Sequence, residues 1–139
     1  MFDFLKKQNS NPFADNLLSL NYNQRESIVS LFIILAGSDQ HLTKGLNKKE
    51  FAFIDKYVEI FKLENQFTIL EEYGIDVVLE YLNTLNLNQR ESLTILVWEL
   101  LDSDGKPNDS EILDMNKTLN QIGISTQQIV KTLKENKYL

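Results

Sequence analysis

Cysteine is absent from the 139 residues, and histidine occurs once, as His41. No disulfide, thiol nucleophile or thiolate metal site can form, and a zinc site of the His/Cys kind lacks its ligands. Nucleophilic triads that need a Cys or a histidine base are nearly excluded, and the expectation is that the chain is not an enzyme. Basic residues are outnumbered 14 to 20 by acidic ones, leaving a net charge of −6. Lys6 with Lys7, and Lys44 with Lys48 and Lys49, are the densest basic groups. Neither makes a patch able to hold a phosphate backbone, so no nucleic-acid partner is expected. Long apolar runs are missing too. "LFIILAG", Leu31 to Gly37, falls far short of the ~20 residues that cross a bilayer, and no membrane insertion is expected. The start "MFDFLKKQNS" breaks its apolar stretch with charges and lacks the core of a signal peptide. With cysteine absent, this agrees with a cytoplasmic location. Proline and glycine are scarce, at 2 and 5 residues, and nowhere does the sequence alternate with period two for long. No sheet is expected.

What the sequence has in quantity is repetition. "LNYNQRES" at Leu20 to Ser27 returns as "LNLNQRES" at Leu85 to Ser92. Extended at an offset of 65, Leu20 to Gln40 matches Leu85 to Gly105 at 11 of 21 positions. Past the Asp39/Asp104 pair the register slips, and Asn47 to Leu63 meets Asn108 to Ile124. Each copy reads as a helix–loop–helix hairpin. Asn23 with Glu26, and Asn88 with Glu91, have capping-box spacing, with Tyr22 and Leu87 ahead of the caps as apolar staples. The first helix follows on Ile28, Leu31, Phe32 and Leu35, matched by Leu93, Leu96, Val97 and Leu100. It is apolar nearly all round, which predicts a buried central helix packed against its counterpart. Asn47 with Glu50, and Asn108 with Glu111, announce the second helix. Its stripe is Phe51, Ile54, Val58 and Phe61, matched by Ile112, Met115, Leu119 and Ile122.

Pro12 opens a short helix through Leu20. Two short helices, broken near Gly74 and restarted at Asp76, join the copies. Ser125 with Gln128 starts a last helix. The expectation is an all-α single domain of about six to seven helices with two pseudo-symmetric repeats. The first repeat spans about 20–63, linking helices 64–84, the second repeat 85–124 and the C-terminal helix 125–136.

Chemistry concentrates in "WELLDSDGKPNDSEILD". Glu99, Asp102, Asp104, Asp109, Glu111 and Asp114 fall within sixteen residues opposed only by Lys106. A calcium EF-hand does not fit. Counted from Asp102, Gly105 is fourth, Lys106 fifth and Glu111 tenth, whereas that loop needs Gly at 6 and Glu at 12. Gly105, Asn108 and Glu111 are explained as a helix stop and the next helix's cap. Asp102 and Asp104 are not, because they sit at the negative end of a helix, where a carboxylate costs roughly 0.3–1 kcal/mol. Carboxylates beside the unpaired carbonyls of a helix end suit a hard divalent cation, calcium or similar. Two readings of the turn therefore stand: a cation site and a solvated acidic turn. In the first copy Asp39 and Glu50 remain, but Gln40 replaces the glycine and three lysines intervene. His41, in the same polar loop, is read as solvated. Trp98, Tyr57 and the phenylalanines fall on apolar helix faces and read as core.

At "LLDSDGKPNDSEILDMNKTLNQIGIS" the chain resembles the TerB-like family of tellurite-resistance domains. The elements carrying the resemblance are Asp104-Gly105, Glu111 and the "IGIS" turn at Ile122 to Ser125. "LAGSDQ", "NKKEF" and "FKLE" in the first copy follow the same pattern with the glycine lost. The resemblance runs from about Leu17 to Leu133. It implies an all-helical pseudo-symmetric fold, a divalent-metal-binding acidic cluster, a cytoplasmic place, and a non-enzymatic stress or tellurite response role through a protein partner. Carried over by position, the metal candidates are Asp104 and Glu111, then Asp39 and Glu50. Asp102 is added from the helix-end argument. The alternative is a metal-free helical scaffold for protein–protein interaction. No His-Pro-Asp tripeptide of a fused J-domain is present.

Overall fold

The computed structural model describes residues 11–36, 47–64, 67–103 and 105–139. These residues form seven α-helices and one π-helical turn, with no strand among them. In chain order they are α1 (Pro12–Asp15), α2 (Tyr22–Leu35), α3 (Lys48–Ile60), the π turn (Ile69–Tyr73), α4 (Ile75–Leu82), α5 (Leu87–Leu101), α6 (Asp109–Gln121) and α7 (Thr126–Glu135). The all-α class is as expected, and no helix of the described residues is long and apolar enough to cross a membrane.

The helix starts are chemically uniform. Asn21, Asn47, Asn86, Asn108 and Ser125 each cap a helix in extended backbone, and each cap is closed by the side chain three residues on. Two of these starts correct the sequence reading. The boxes of α2 and α5 are Asn21 with Gln24 and Asn86 with Gln89, not Asn23 with Glu26 and Asn88 with Glu91. Both helices therefore begin two residues earlier. Tyr22 and Leu87 become first helical residues, 36% and 58% exposed, instead of staples.

α2 and α5 are the buried centre. Leu31, Phe32, Leu93 and Leu96 have no exposed surface. Each such side chain contributes roughly 1.5–3 kcal/mol relative to an exposed one. α2 packs on α5 as expected, and also on α3, α4, α6 and the π turn, while α5 receives α1, α3, α6 and α7. Where α3 meets α2, the rings of Phe32, Phe53, Tyr57 and Phe61 form one group, with neighbouring centroids 4.9–5.6 Å apart. The α3 stripe differs from its expected form at one end. Phe51 is 45% exposed, and the buried positions are Ile54, Tyr57 and Phe61. On α6, Met115, Leu119 and Ile122 are buried as read and Ile112 is half-buried.

The two hairpins close by the same local chemistry. Lys62, just past α3, has φ 55°, and Gly123, just past α6, has φ 89°. After each, a backbone N–H turns back five residues: Leu63 N to Val58 O at 2.9 Å and Ile124 N to Leu119 O at 3.0 Å. That is the hydrogen bond of a Schellman stop. An arginine from the repeated octapeptide then reaches each stop. Arg25 donates to Leu20 O at 3.1 Å and to Phe61 O, and Arg90 donates to Gly123 O at 3.0 Å and Asn83 O at 3.1 Å.

Candidate functional site

The acidic turn between α5 and α6 is only partly described. Asp104, Asp39 and His41 lie outside the described residues. Asp102 caps the C-terminus of α5 and is exposed. Two of the carbonyls there already accept hydrogen bonds. Leu100 O accepts from Ser103 Oγ at 2.7 Å, and Asp102 O accepts from Gly105 N at 3.2 Å. Glu111 and Glu50 do the same work in the two copies. Glu111 Oε1 accepts from Asn108 N at 3.1 Å, and Glu50 Oε1 from Asn47 N at 3.2 Å. Each box thereby ties down one carboxylate oxygen, as the sequence predicts for Glu111. Among the described residues no group of three or more His, Asp and Glu side chains is placed to hold a metal ion.

The structure brings a different set of residues together. A cleft of about 640 Å³ lies where α2 meets the π turn and α4, lined by Tyr22, Asn23, Glu26, Glu64, Thr68, Ile69, Tyr73, Val77 and Tyr81. Its volume falls within the roughly 300–1,000 Å³ of typical ligand sites. Each wall has a local cause. The earlier start of α2 puts Tyr22 and Glu26 one helical turn apart, on the same face. The π turn arises where Gly74 N bonds Ile69 O, five residues back, as well as Leu70 O, both at 3.1 Å. Gly74 has φ 86°, which an L side chain rarely adopts, and it lets the chain leave the wide turn and start α4. Such turns are rare and frequent at functional sites.

Polar groups fix the cleft's shape. Tyr22 Oη accepts from Glu64 N at 3.1 Å, and Asn23 Nδ2 donates to Tyr81 Oη at 3.3 Å. Glu26 is 3% exposed, and its Oε2 accepts from Ile69 N at 3.1 Å. Glu26 forms no ion pair with any described residue. The nearby guanidinium of Arg25 is turned to the carbonyls of Leu20 and Phe61 and lies 5.7 Å from the centre of the Tyr22 ring. A buried carboxylate held by one backbone N–H and no cation is costly.

The matching place in the second copy is filled differently. There Leu87, Arg90, Glu91, Lys131 and Thr132 help line a cleft of about 70 Å³. At the offset of 65, Leu87 stands for Tyr22 and Glu91 for Glu26. Glu91 is exposed, and two basic side chains share its surroundings. Reading the sequence assigned Tyr22 to a staple and missed the cleft. The signal was available, since Tyr22 is a phenol where the other copy has an aliphatic side chain.

A second polar group sits on the other side of α5. Tyr138 Oη donates to Glu99 Oε2 at 3.4 Å, and Asn11 Nδ2 donates to Tyr57 Oη at 2.9 Å. Glu99 Oε1 is buried without a hydrogen-bond partner among the described residues. Burial raises the Glu99 carboxyl above its ordinary range, against the pull of Asn11, Tyr138 and the Lys56 ammonium. Burial and the Glu99 charge together raise Tyr57 and Tyr138 as well.

Comparison with known proteins finds no matching family model, no matching curated protein and no matching solved structure.

Proposed function

We propose that this chain is a non-catalytic helical interaction module that recognises a protein partner through the cleft between α2, the π turn and α4. The observation that carries this reading is the cleft itself, a concave site with three phenol rings among its lining residues and a buried carboxylate in its wall. Tyrosine suits recognition because it offers a large rigid apolar body with a polar tip. The hydroxyls of Tyr22 and Tyr81 are held by hydrogen bonds within the fold, so these two rings are positioned before any partner arrives. The TerB-like resemblance supports a cytoplasmic stress-response setting, tellurite resistance included, in which the module acts through that partner.

The test is a photo-crosslinking side chain at position 73, introduced in the native cell. Tyr73 is 64% exposed at the cleft, so the substitution leaves the core alone. A discrete crosslinked protein is expected, and it should disappear when Val77→Arg fills the cleft. Equal crosslinking from position 113, on the exposed face of α6, would sink the reading.

Divalent-metal binding at the acidic turn is the second reading. Asp102, exposed at the negative end of α5, and Glu111, in the first turn of α6, favour it. Calcium at millimolar concentration should then raise the melting temperature by mass action on the folded state. Asp104→Asn should reduce that rise more than Asp39→Asn does. No rise with any of several divalent ions would remove this reading.

A further inference from the structure

Resting on the cleft reading above, we infer that the group the cleft takes is a lysine ε-ammonium carried on a peptide segment of the partner. Three independent observations converge on a cation. Glu26 is 97% removed from solvent, lines the cleft and has no cationic partner among the described residues. Tyr73 and Tyr81 line the same space as Tyr22, and the faces of phenol rings attract cations, as the Arg25 guanidinium 5.7 Å from the Tyr22 ring centre shows. Among the described residues no Lys, Arg or His lines it, and a second carboxylate, Glu64, does. An anion would meet two like charges. An uncharged apolar group would leave Glu26 buried and uncompensated.

Size and shape choose the source of the cation. A free alkylammonium fills a small part of 640 Å³, whereas a lysine within a peptide brings its neighbours and its four-carbon stem. The stem lies along the apolar surface of Ile69 and Val77, with the charge carried to Glu26, the arrangement long basic side chains adopt elsewhere. Lysine suits this site better than arginine. With Oε2 of Glu26 held by Ile69 N, the one remaining oxygen favours a compact point charge over a planar fork that needs two acceptors. The second copy supplies the internal comparison. Its cleft is about 70 Å³ and has Lys131 and Arg90 in its lining, whereas no basic side chain of the described residues lines the first.

The experiment is a calorimetric titration of the full chain, with NMR to locate the site. The probe is a five-residue peptide, acetylated and amidated, with lysine at its centre and glycine around it. The comparison peptides carry norleucine or Nε-acetyllysine at the centre, and free butylammonium is the fourth probe. The lysine peptide should bind most tightly, with shifts at Tyr73 and Val77. Glu26→Gln, which can keep an oxygen for Ile69 N, should weaken it by about tenfold or more, the usual consequence of removing one partner of a desolvated charge pair. Glu91→Gln should leave binding unchanged. If Glu26→Gln does not fold, Tyr73→Ala, at an exposed position, serves in its place and should also weaken binding.

Equal binding of the lysine and norleucine peptides at Tyr73 would overturn the cation while leaving the cleft reading intact. Butylammonium binding as tightly as the peptide would overturn the peptide source. Loss of affinity from Glu91→Gln equal to that from Glu26→Gln would overturn the site. If no probe binds but the position-73 crosslink persists, the lysine inference fails alone. If both are absent, the cleft reading fails with it.

Discussion

Lys62 and Gly123 hold the same left-handed backbone at the ends of two different helices, with φ 55° and 89°. For a side-chain-bearing residue this conformation costs roughly 1–2 kcal/mol, and for glycine almost nothing. Lys62→Gly should therefore stabilise the fold by up to about 1 kcal/mol, read as a higher urea midpoint. Gly123→Ala should destabilise it by at least about 1 kcal/mol, because an added Cβ would also stand 3.0 Å from the Arg90 guanidinium nitrogens. Opposite signs at the two positions are the expected outcome, and equal signs would show that the two stops are not governed by backbone conformation. The arginines that reach these stops give the repeated octapeptide a purpose. Arg25 and Arg90 stand at the same place in it, and each ties the start of one helix to the end of the next.

At the scale of elements, the buried centre carries an unusual load of small polar residues. Ser27, Ser30, Ser92 and Thr94 are all buried on α2 and α5. Thr94 is satisfied by the Arg90 carbonyl and Ser92 by Asn16. The Ser27 and Ser30 hydroxyls have no partner among the described residues. An unsatisfied buried hydroxyl costs about 1–3 kcal/mol, and alanine is also the better helix former. Ser30→Ala should raise the unfolding free energy by about 1 kcal/mol. A loss of stability instead would mean that water occupies the site and completes the hydroxyl's hydrogen bonds.

Much of this layer is legible in the sequence, because caps and apolar periods are local. Asn47 with Glu50, Asn108 with Glu111 and Ser125 with Gln128 pair across three residues and form as read. The starts of α2 and α5 are not legible in the same way. Asn21 and Asn23 each have an acceptor three residues on, and local spacing prefers the glutamate at 26. In α2 Glu26 is taken by Ile69 N, 43 positions away, and Gln24 closes the box. But α5 closes its box with Gln89 although Glu91 is exposed, so the earlier start belongs to the octapeptide itself. The cleft is hidden for a different reason. It depends on where the π turn docks, and no window of sequence contains both Tyr22 and Tyr81.

At the scale of the whole molecule, Glu99 gathers residues far apart in the chain. Asn11, Tyr57 and Tyr138 approach it from before α1, from α3 and from beyond α7, with the Lys56 ammonium 5.4 Å from the Tyr57 ring centre. Burial raises the folded Glu99 carboxyl, so the folded chain keeps this proton to higher pH than the unfolded chain does. The stability linked to Glu99 is then fully present below the ordinary carboxylate range and is lost as pH rises through the raised folded value. Glu99→Gln removes that slope and keeps an oxygen for the Tyr138 hydroxyl. Relative to the unsubstituted chain, the variant should gain more stability at pH 7 than at pH 4 in urea unfolding. A difference independent of pH would show that the carboxyl titrates alike in both states.

The π turn has a hereditary consequence. A π turn holds about one residue more than the α turn it replaces, and each residue of an α-helix advances the side chains by about 100°. Deleting one codon between Ile69 and Tyr73 would let the turn relax to α geometry and swing Tyr73 away from Glu26.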